Sequence, residues 1–294
     1  MATVAHAGRL RVGRETAWAD AVRRVALLPV VLAVLWGLWE GYRALWIETG
    51  WTWPFRVDDT AMPHIHAILA QLFEPSRLNG PTLIHVLFDA ALFTAKEAAV
   101  GFAIGASVGF LLAVVLVHSR LLERGLLPYI VASQTIPLLA IAPMVVVGLG
   151  SKGVTGWVSV SVTAAYLTFF PVTINALRGL QSADARALEL MRSYAANRRA
   201  ILWKVRVPAS LPYLFAALKI SATASVVGAI ISELPSGIQD GLGGAILNFN
   251  QYYISEPKNL WATNLVAALL GILFFLAVVV AEKLVVRRAP EHVA

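Results

Sequence analysis

Three glycines, Gly148, Gly150 and Gly153, have the G-x-G-x-x-G spacing that can hold the pyrophosphate of a dinucleotide. That chemistry requires the glycines to follow a β-strand, to open a helix and to precede an acidic residue by about 20 positions. Here the preceding run is apolar and interrupted by prolines, and no acidic residue stands at that distance. The pattern is therefore weak evidence for a nucleotide site.

Other arrangements that would perform chemistry are absent from the sequence. It has no G-x-x-x-x-G-K-[ST] phosphate loop and no H-E-x-x-H pair, its 6 histidines are scattered, and it has no cysteine. The chain should therefore not bind ATP itself, and Cys-ligated zinc, disulfides and thiol catalysis are excluded. We predict no catalytic residue and no metal site, so the chain should not be an enzyme.

Two polar side chains stand out within long apolar runs, where an ionised group costs at least about 2.5–3.5 kcal/mol. Gln134 precedes Pro137, at a place where the proline frees backbone carbonyls and a polar cavity can form. Gln134 is therefore a candidate for lining a solute path. Glu233 stands beside Pro235 and Gly237, where it would either belong to an external gate or cap the bend.

Small residues recur at every fourth position in two of the apolar runs. Gly101, Gly105 and Gly109 form one row, which predicts close packing against a neighbouring helix. Ser221 and Ser225 belong to the other row. Their hydroxyl groups either pack in the same way, bonded to backbone carbonyls, or face the solute path.

The composition is that of a membrane protein. Of the 294 residues, 58% are hydrophobic and 14% are charged, against about 45–50% apolar and about 25% charged in soluble domains. Six apolar runs approach the roughly 20 residues that cross a bilayer as a helix. They cover residues 27–47, 98–117, 126–149, 154–177, 214–234 and 260–281. We predict an all-α polytopic membrane protein with about six transmembrane helices, and we expect Lys96 and Glu97 to form a supporting pair where the second begins.

The basic residues lie mainly on one side of these runs. The 24 Lys and Arg exceed the 17 Asp and Glu, and most of them fall in the N-terminal tail, after the second run, between the fourth and fifth runs and near the C-terminus. Since the cytoplasmic side retains positive charge, both termini are predicted to be cytoplasmic. Nucleic-acid binding is then not needed to explain the charge, and none is predicted.

The predicted organisation has three parts. Residues 1–82 form a tail, the first transmembrane helix and an outer loop, residues 83–284 form a core with five transmembrane helices, and residues 285–294 form a cytoplasmic tail. The core contains a long cytoplasmic loop at 178–212.

This loop is predicted to contain a short amphipathic helix. Its apolar positions follow the i, i+3, i+4, i+7 spacing of one helix face, and charged and polar residues stand opposite. The apolar face consists of Ala187, Leu190, Met191 and Tyr194, and the polar face of Arg186, Glu189, Arg192 and Ser193. Such a helix lies on the membrane surface, packs under the bundle or docks a soluble partner.

The same segment resembles the cytoplasmic signature of ATP-binding-cassette (ABC) importer permeases, E-A-A, three residues, G, nine residues, I-x-L-P. Glu189 and Pro208 match its first and last positions outright. The other positions carry Leu190 and Met191 for the two alanines, Ala195 for the glycine, and Val205 and Val207 for isoleucine and leucine. We expect alanine to disfavour the left-handed conformation that glycine adopts, so that the helix ends differently.

The resemblance extends from residue 83 to the end of the chain. Residues 208–212, P-A-S-L-P, are similar to the usual continuation of the signature. Residues 148–152, G-L-G-S-K, look like the segment after the third span, and S-E-L-P-S-G at 232–237 with G-L-G at 241–243 looks like the exit of the fifth. The layout is most similar to the nitrate, sulfonate, taurine and pyrimidine-precursor permeases.

This resemblance implies a type I importer permease in the cell inner membrane. Its partners would be a second permease subunit, identical or different, a pair of ATPase subunits that bind ATP and Mg²⁺, and an external solute-binding protein. The chain itself would bind no cofactor. Residues implied to couple it to the ATPase are Ala187, Glu189, Leu190, Met191, Tyr194, Ala195 and Pro208. A secondary transporter or channel would also fit six spans, but would leave the Glu189 to Pro208 pattern unexplained.

Overall fold

The computed structural model describes residues 27, 29–53, 57–77 and 80–286, and these residues form helices and no β-strand. Helices are expected in lipid because each backbone N–H and C=O must find its partner within the same segment. The helices are α1 (Pro29–Thr49), α2 (Ile65–Gln71), α3 (Leu83–His118), α4 (Arg120–Ser133), α5 (Leu138–Gly150), α6 (Gly156–Gln181), α7 (Ala185–Ser193), α8 (Arg198–Ile201), α9 (Val207–Ser236), α10 (Leu242–Gln251) and α11 (Pro257–Val285).

Five helical segments in the described part of the chain are long and apolar enough to cross a bilayer. They are α1, α3, α6, the continuous helical run 198–236 and α11. A sixth span is possible if α4 and α5, which meet at 96°, are counted as one broken span. The prediction of an all-α protein with about six transmembrane helices is confirmed.

Two predicted spans differ in detail from the structure. The second was expected at 98–117, but α3 begins at Leu83 and runs for 36 residues, because the helix continues through its charged residues. The third was expected at 126–149, but it is two helices, α4 and α5. The break falls before Pro137, which lacks an N–H and disfavours a helical residue before it, whereas α5 continues through Pro143.

The chain divides into two units, residues 1–70 and 71–294. In the first, Arg43 of α1 donates to the carbonyl of Met62 at 2.9 Å and pairs with Asp59. Glu40, one turn earlier, is hydrogen-bonded to Nδ1 of His64 at 2.7 Å. These bonds tie α1 to the segment that leads into α2.

The second unit is built around α3, α6 and α9. The glycine row of α3 faces α6, and a Cβ atom at Gly101, Gly105 or Gly109 would lie 2.5–2.6 Å from an atom of α6. For Gly105 that atom is the backbone oxygen of Ala165, which cannot move aside easily. The absence of side chains at these positions therefore lets the two helices approach at backbone distance.

Candidate functional site

The helix α7 begins and ends with defined caps. Asp184 accepts a hydrogen bond from the backbone N–H of Arg186 at 3.0 Å, which satisfies one of the free donors at the start of the helix. The helix is nine residues long, and after its C-cap the chain turns at Ala195, whose φ is +50°. The backbone N–H of Ala195 donates to Arg192 O at 2.9 Å, and that of Ala196 donates to Met191 O at 3.0 Å. Together these two bonds form a Schellman motif.

The expectation that Ala195 would avoid the left-handed conformation is wrong. The position keeps the turn that a glycine would make, although a Cβ atom in this conformation costs about 1–2 kcal/mol. The two hydrogen bonds of the motif offset this cost, since the last carbonyls of α7 would otherwise lack partners.

Replacing Ala195 with Gly should therefore stabilise the permease by roughly 1 kcal/mol, because it removes the Cβ penalty and keeps the turn. The midpoint of thermal unfolding in detergent is expected to rise. Ala196→Gly is the matched control, since Ala196 is the next residue and has no positive φ. It should leave the midpoint unchanged or lower it, and a fall with Ala195→Gly would contradict this account of the turn.

The predicted apolar face of α7 divides into a covered and an open part. Ala187 and Met191 are half-buried, whereas the side chains of Leu190 and Tyr194 are 57% and 77% exposed. Leu190 and Tyr194 are one helical turn apart and share a face. Glu189 is also exposed. A capped nine-residue helix thus presents two large apolar side chains that nothing in the described chain covers.

The chain after α7 is anchored to the helices around it. Asn197 accepts from the N–H of Ala200 at 2.7 Å and so caps α8. A π-helical turn, Leu202–Arg206, joins α8 to α9, and Arg206 donates to Leu180 O near the end of α6 at 3.1 Å. Pro208 follows the π-helical turn directly, at the second position of α9, where its missing N–H removes one bond from the continuous helical run. The loop that carries α7 is therefore held at both ends.

Glu233 is fully buried and caps α10 from a distance. Its Oε1 accepts from the hydroxyl of Thr94 at 2.6 Å, and its Oε2 accepts from the N–H of Gly243. The Thr94 oxygen in turn accepts from the N–H of Leu242 at 2.9 Å. The residue before α10, Gly241, has no side chain with which to cap the helix, so these two residues from α9 and α3 perform that role.

The two glycines around Leu242 make room for this carboxylate. A Cβ atom at Gly241 would overlap the Glu233 carboxyl group, and one at Gly243 would lie 2.6 Å from Glu233 Cβ. The segments 232–237 and 241–243, which the resemblance singled out separately, are thus parts of one contact. Sequence reasoning missed Thr94, because a threonine in an apolar helix gives no distinguishing signal.

Glu97 lies one turn from Thr94 and is also fully buried. Neither of its carboxyl oxygens has a hydrogen-bond partner among the described residues, and its carboxyl group interacts electrostatically with that of Glu233. Lys96 and Glu97, expected as a pair, form no salt bridge among the described residues: Lys96 Nζ lies 4.2 Å from the ring centroid of Trp157 and acts on the Glu97 carboxyl group only through its charge. Neighbouring helix residues point about 100° apart, so Lys96 and Glu97 face different surroundings.

The other predicted path residues occupy two separate places. Gln134 is exposed and ends α4 at the 96° bend, where the hydroxyl of Tyr166 donates to Ser133 O. Ser221 and Ser225 are fully buried, and their hydroxyls donate to Thr168 O of α6 at 3.4 Å and to Ala222 O of α9 at 2.8 Å. In this conformation the two serines serve helix packing and hydrogen bonding, and only Gln134 reaches an open surface.

A cleft of about 440 Å³ lies between α3 and α10, beside the Glu233 contact. Two carboxylates and two amides contribute its polar groups, and two phenylalanines contribute aromatic surface. Its lining residues are Val86, Asp89, Ala90, Phe93, Gln239, Asp240, Ala245, Asn248 and Phe249. No basic residue lines it, so the cleft should attract N–H donors and cations and repel anions.

One group of side chains in the first unit has the distances of a metal site. Ligand atoms of Glu40, His64 and His66 lie within 4.8 Å of one another. Glu40 and His64 are already hydrogen-bonded to each other, and the guanidinium of Arg43 contacts the second ring nitrogen of His64. The positive charge of Arg43 would repel a metal ion bound at this distance, so the group is better described as an ion-pair network.

Comparison with protein families matches residues 105–289 to the family described as binding-protein-dependent transport system inner membrane component. The matched region contains α7, its flanking turns and Glu233. A solved structure described as an amino acid ABC transporter with histidines has the same fold, with a TM-score of 0.54 over 70% of this chain and 95% of that chain, at 18% identity.

Curated relatives cover much of the chain. The formylaminopyrimidine transport permease ThiX of Halalkalibacterium halodurans is 34% identical over 61% of this chain and 69% of its own. The riboflavin transport system permease RibX of Chloroflexus aurantiacus is 32% identical over a region that covers 58% of this chain and 61% of RibX. The putative aliphatic sulfonates transport permease SsuC of Bacillus subtilis is 26% identical over a region that covers 92% of this chain and 87% of SsuC.

Proposed function

Because this chain belongs to the family of binding-protein-dependent transport system inner membrane components, we propose that Leu190 and Tyr194 of α7 dock onto a separate ATPase subunit. The chain is a multi-pass membrane permease of an ABC importer, and this kind of subunit is not itself catalytic. The observation that carries the docking proposal is the exposed apolar pair on a helix that is capped at both ends. Two large apolar side chains exposed side by side on a short polar helix support an interaction site there.

The proposed assembly contains two permease subunits, a pair of ATPases that bind ATP and Mg²⁺, and an external solute-binding protein. This chain would bind no cofactor. The basic loops, and α7 with them, would face the cytoplasm together with both termini, as the distribution of Lys and Arg favours. Closure of the ATPase pair would then move α7, and the permease pair would alternate between inward-open and outward-open states.

Affinity purification of the tagged chain from its host in mild detergent tests this assembly. A near-stoichiometric protein with a G-x-x-x-x-G-K-[ST] phosphate loop is expected among the retained proteins. Recovery of the chain alone, repeated after chemical cross-linking, would instead favour a secondary transporter or channel. The family match already disfavours that alternative.

Within the range of nitrate, sulfonate, taurine and pyrimidine-precursor solutes, a small nitrogen heterocycle is the proposed cargo. The relatives at 34% and 32% identity are named for formylaminopyrimidine and riboflavin, whereas the sulfonate relative is 26% identical. The cleft beside α10 supports the same choice. Asp89 and Asp240 can accept from ring N–H or amino groups, and Phe93 and Phe249 offer aromatic surface to a ring.

Uptake by proteoliposomes that contain the assembled transporter tests the solute. Labelled formylaminopyrimidine is expected to accumulate on addition of ATP, whereas nitrate and methanesulfonate are not. Asp89→Asn combined with Asp240→Asn should lower heterocycle uptake about a hundredfold, since it removes two charge-assisted hydrogen bonds and each is worth about tenfold. Glu74→Gln, an exposed carboxylate outside the cleft, is the matched control. ATP-dependent uptake of nitrate alone would contradict the solute class but not the permease function.

A further inference from the structure

A second cleft, of about 430 Å³, lies beside α7 and is lined by five parts of the chain. They are the end of α3, α7, the turn that follows α7, α8 and the π-helical turn. The lining residues are Val117, His118, Leu188, Arg192, Ala196, Arg198, Ile201 and Arg206. Leu188 and Arg192 lie about 160° around α7 from Leu190, so this basic cleft and the proposed docking face are on opposite sides of the helix.

The basic cleft carries positive charge that no lining residue neutralises. It contains three arginines and one histidine and no acidic side chain. None of these three arginines has a salt bridge among the described residues. Arg206 is half-buried and near enough to Arg192 for the two to repel each other. The arrangement therefore stores repulsion that an anion would relieve.

The donors in the basic cleft are partly fixed in position. Arg206 uses one of its five N–H groups on Leu180 O at 3.1 Å, which orients the guanidinium and leaves the others free. His118 donates Nδ1–H to Val114 O at 2.7 Å, so in the neutral ring its Nε2 is an acceptor and the guanidinium groups are the donors of the cleft. Arg192 and Arg198 approach from α7 and α8. Guanidinium groups converging from separate elements fit the several oxygens of one tetrahedral anion.

From this geometry we propose that the basic cleft binds a phosphate group. A phosphate group offers more acceptor oxygens than the two of a carboxylate, so it suits three guanidinium groups that approach from different sides. The phosphate group belongs either to free inorganic phosphate or to the headgroup of an anionic lipid, and basic pockets of this kind at the cytoplasmic ends of transmembrane helices bind such headgroups. Bound there, it links Arg192 of α7 to α8 and to the start of α9, and so stabilises the loop that carries the docking face.

The test uses the full chain, purified in mild detergent and stripped of bound lipid. Its thermal unfolding midpoint is measured against inorganic phosphate, with chloride at equal ionic strength as reference. The same midpoint is measured in nanodiscs of phosphatidylcholine with and without phosphatidylglycerol. Arg198→Gln is compared with Arg199→Gln, because these adjacent arginines are both exposed on α8 and only Arg198 lines the cleft.

The midpoint of the wild type and of Arg199→Gln is expected to rise with the phosphate-bearing ligand. Arg198→Gln should need about a tenfold higher ligand concentration for the same rise of the midpoint, as expected for one lost charge-assisted hydrogen bond. A response to inorganic phosphate alone identifies the free ion, and a response to phosphatidylglycerol alone identifies the lipid. No response to either ligand, or equal responses of the two variants, would overturn the proposal. So would a loss of ATPase binding in Arg198→Gln without any ligand response, since an acidic side chain of the ATPase would then be the occupant.

Discussion

Replacing Leu190 with Asp is expected to lower ATP-driven uptake at least tenfold while the permease stays folded. Leu190 is 57% exposed in the isolated chain, so a charge there costs little before the partner binds. In the assembly the same charge would be buried in an apolar groove, which costs about 2 kcal/mol or more at the centre of an interface. That corresponds to roughly 30-fold weaker binding of the ATPase. Uptake and co-purified ATPase are both measured, with elution volume as the check on folding.

The matched control is Ala185→Asp. Ala185 lies on the same helix, is exposed, and is about 140° around the helix from Leu190. An acidic residue in the first turn also interacts favourably with the helix dipole, so the control should keep uptake near that of the wild type. Normal uptake by Leu190→Asp, or equal losses in both variants, would show that α7 does not dock through this face.

Replacing Gly105 with Val should prevent the core from assembling. A Cβ atom there would lie 2.5 Å from Ala165 O and 2.6 Å from Thr168 Cβ, so α3 and α6 would have to separate along the whole glycine row. Overpacking of this kind costs about 3 kcal/mol or more when backbone must move. We expect little protein in the membrane fraction, and a midpoint of thermal unfolding well below that of the wild type.

Gly271→Val provides the comparison. Gly271 lies in α11, another membrane-crossing helix, and has no atom within 4 Å of the position a Cβ would take. The same substitution should therefore leave expression and unfolding close to the wild type. Similar yields for the two variants would contradict the packing of α3 against α6 through its glycines.

The apolar runs and the local spacing of residues predict those features that depend on residues near one another in the sequence, such as the fold class and the position of α7. Six runs of lipid-compatible length gave the fold class, because such runs have few alternatives to helix. The i, i+3, i+4, i+7 spacing placed a helix where α7 lies. The glycine row indicated close packing, and the structure identifies α6 as the neighbour.

Contacts between distant residues could not be predicted in this way. Thr94 and Glu233 are 139 residues apart and meet only because α3 and α9 pack together. The same packing leaves Glu97 buried without a hydrogen-bond partner among the described residues, where the sequence suggested a pair with Lys96. The prediction for Ala195 is wrong for a related reason. Alanine intrinsically disfavours a positive φ, but the two backbone hydrogen bonds that outweigh this preference form only once the turn exists.

Cross-linking from one introduced thiol tests most directly whether α7 docks onto a separate ATPase through Leu190 and Tyr194. The chain has no cysteine, so Leu190→Cys carries a single reactive site for a short photoactivatable cross-linker. In membranes of the host, we expect Leu190→Cys to give one major adduct, whose partner contains a G-x-x-x-x-G-K-[ST] loop, and Ala185→Cys to give little of this adduct. Equal adducts from both positions, or an adduct with no ATPase in it, would contradict the claim.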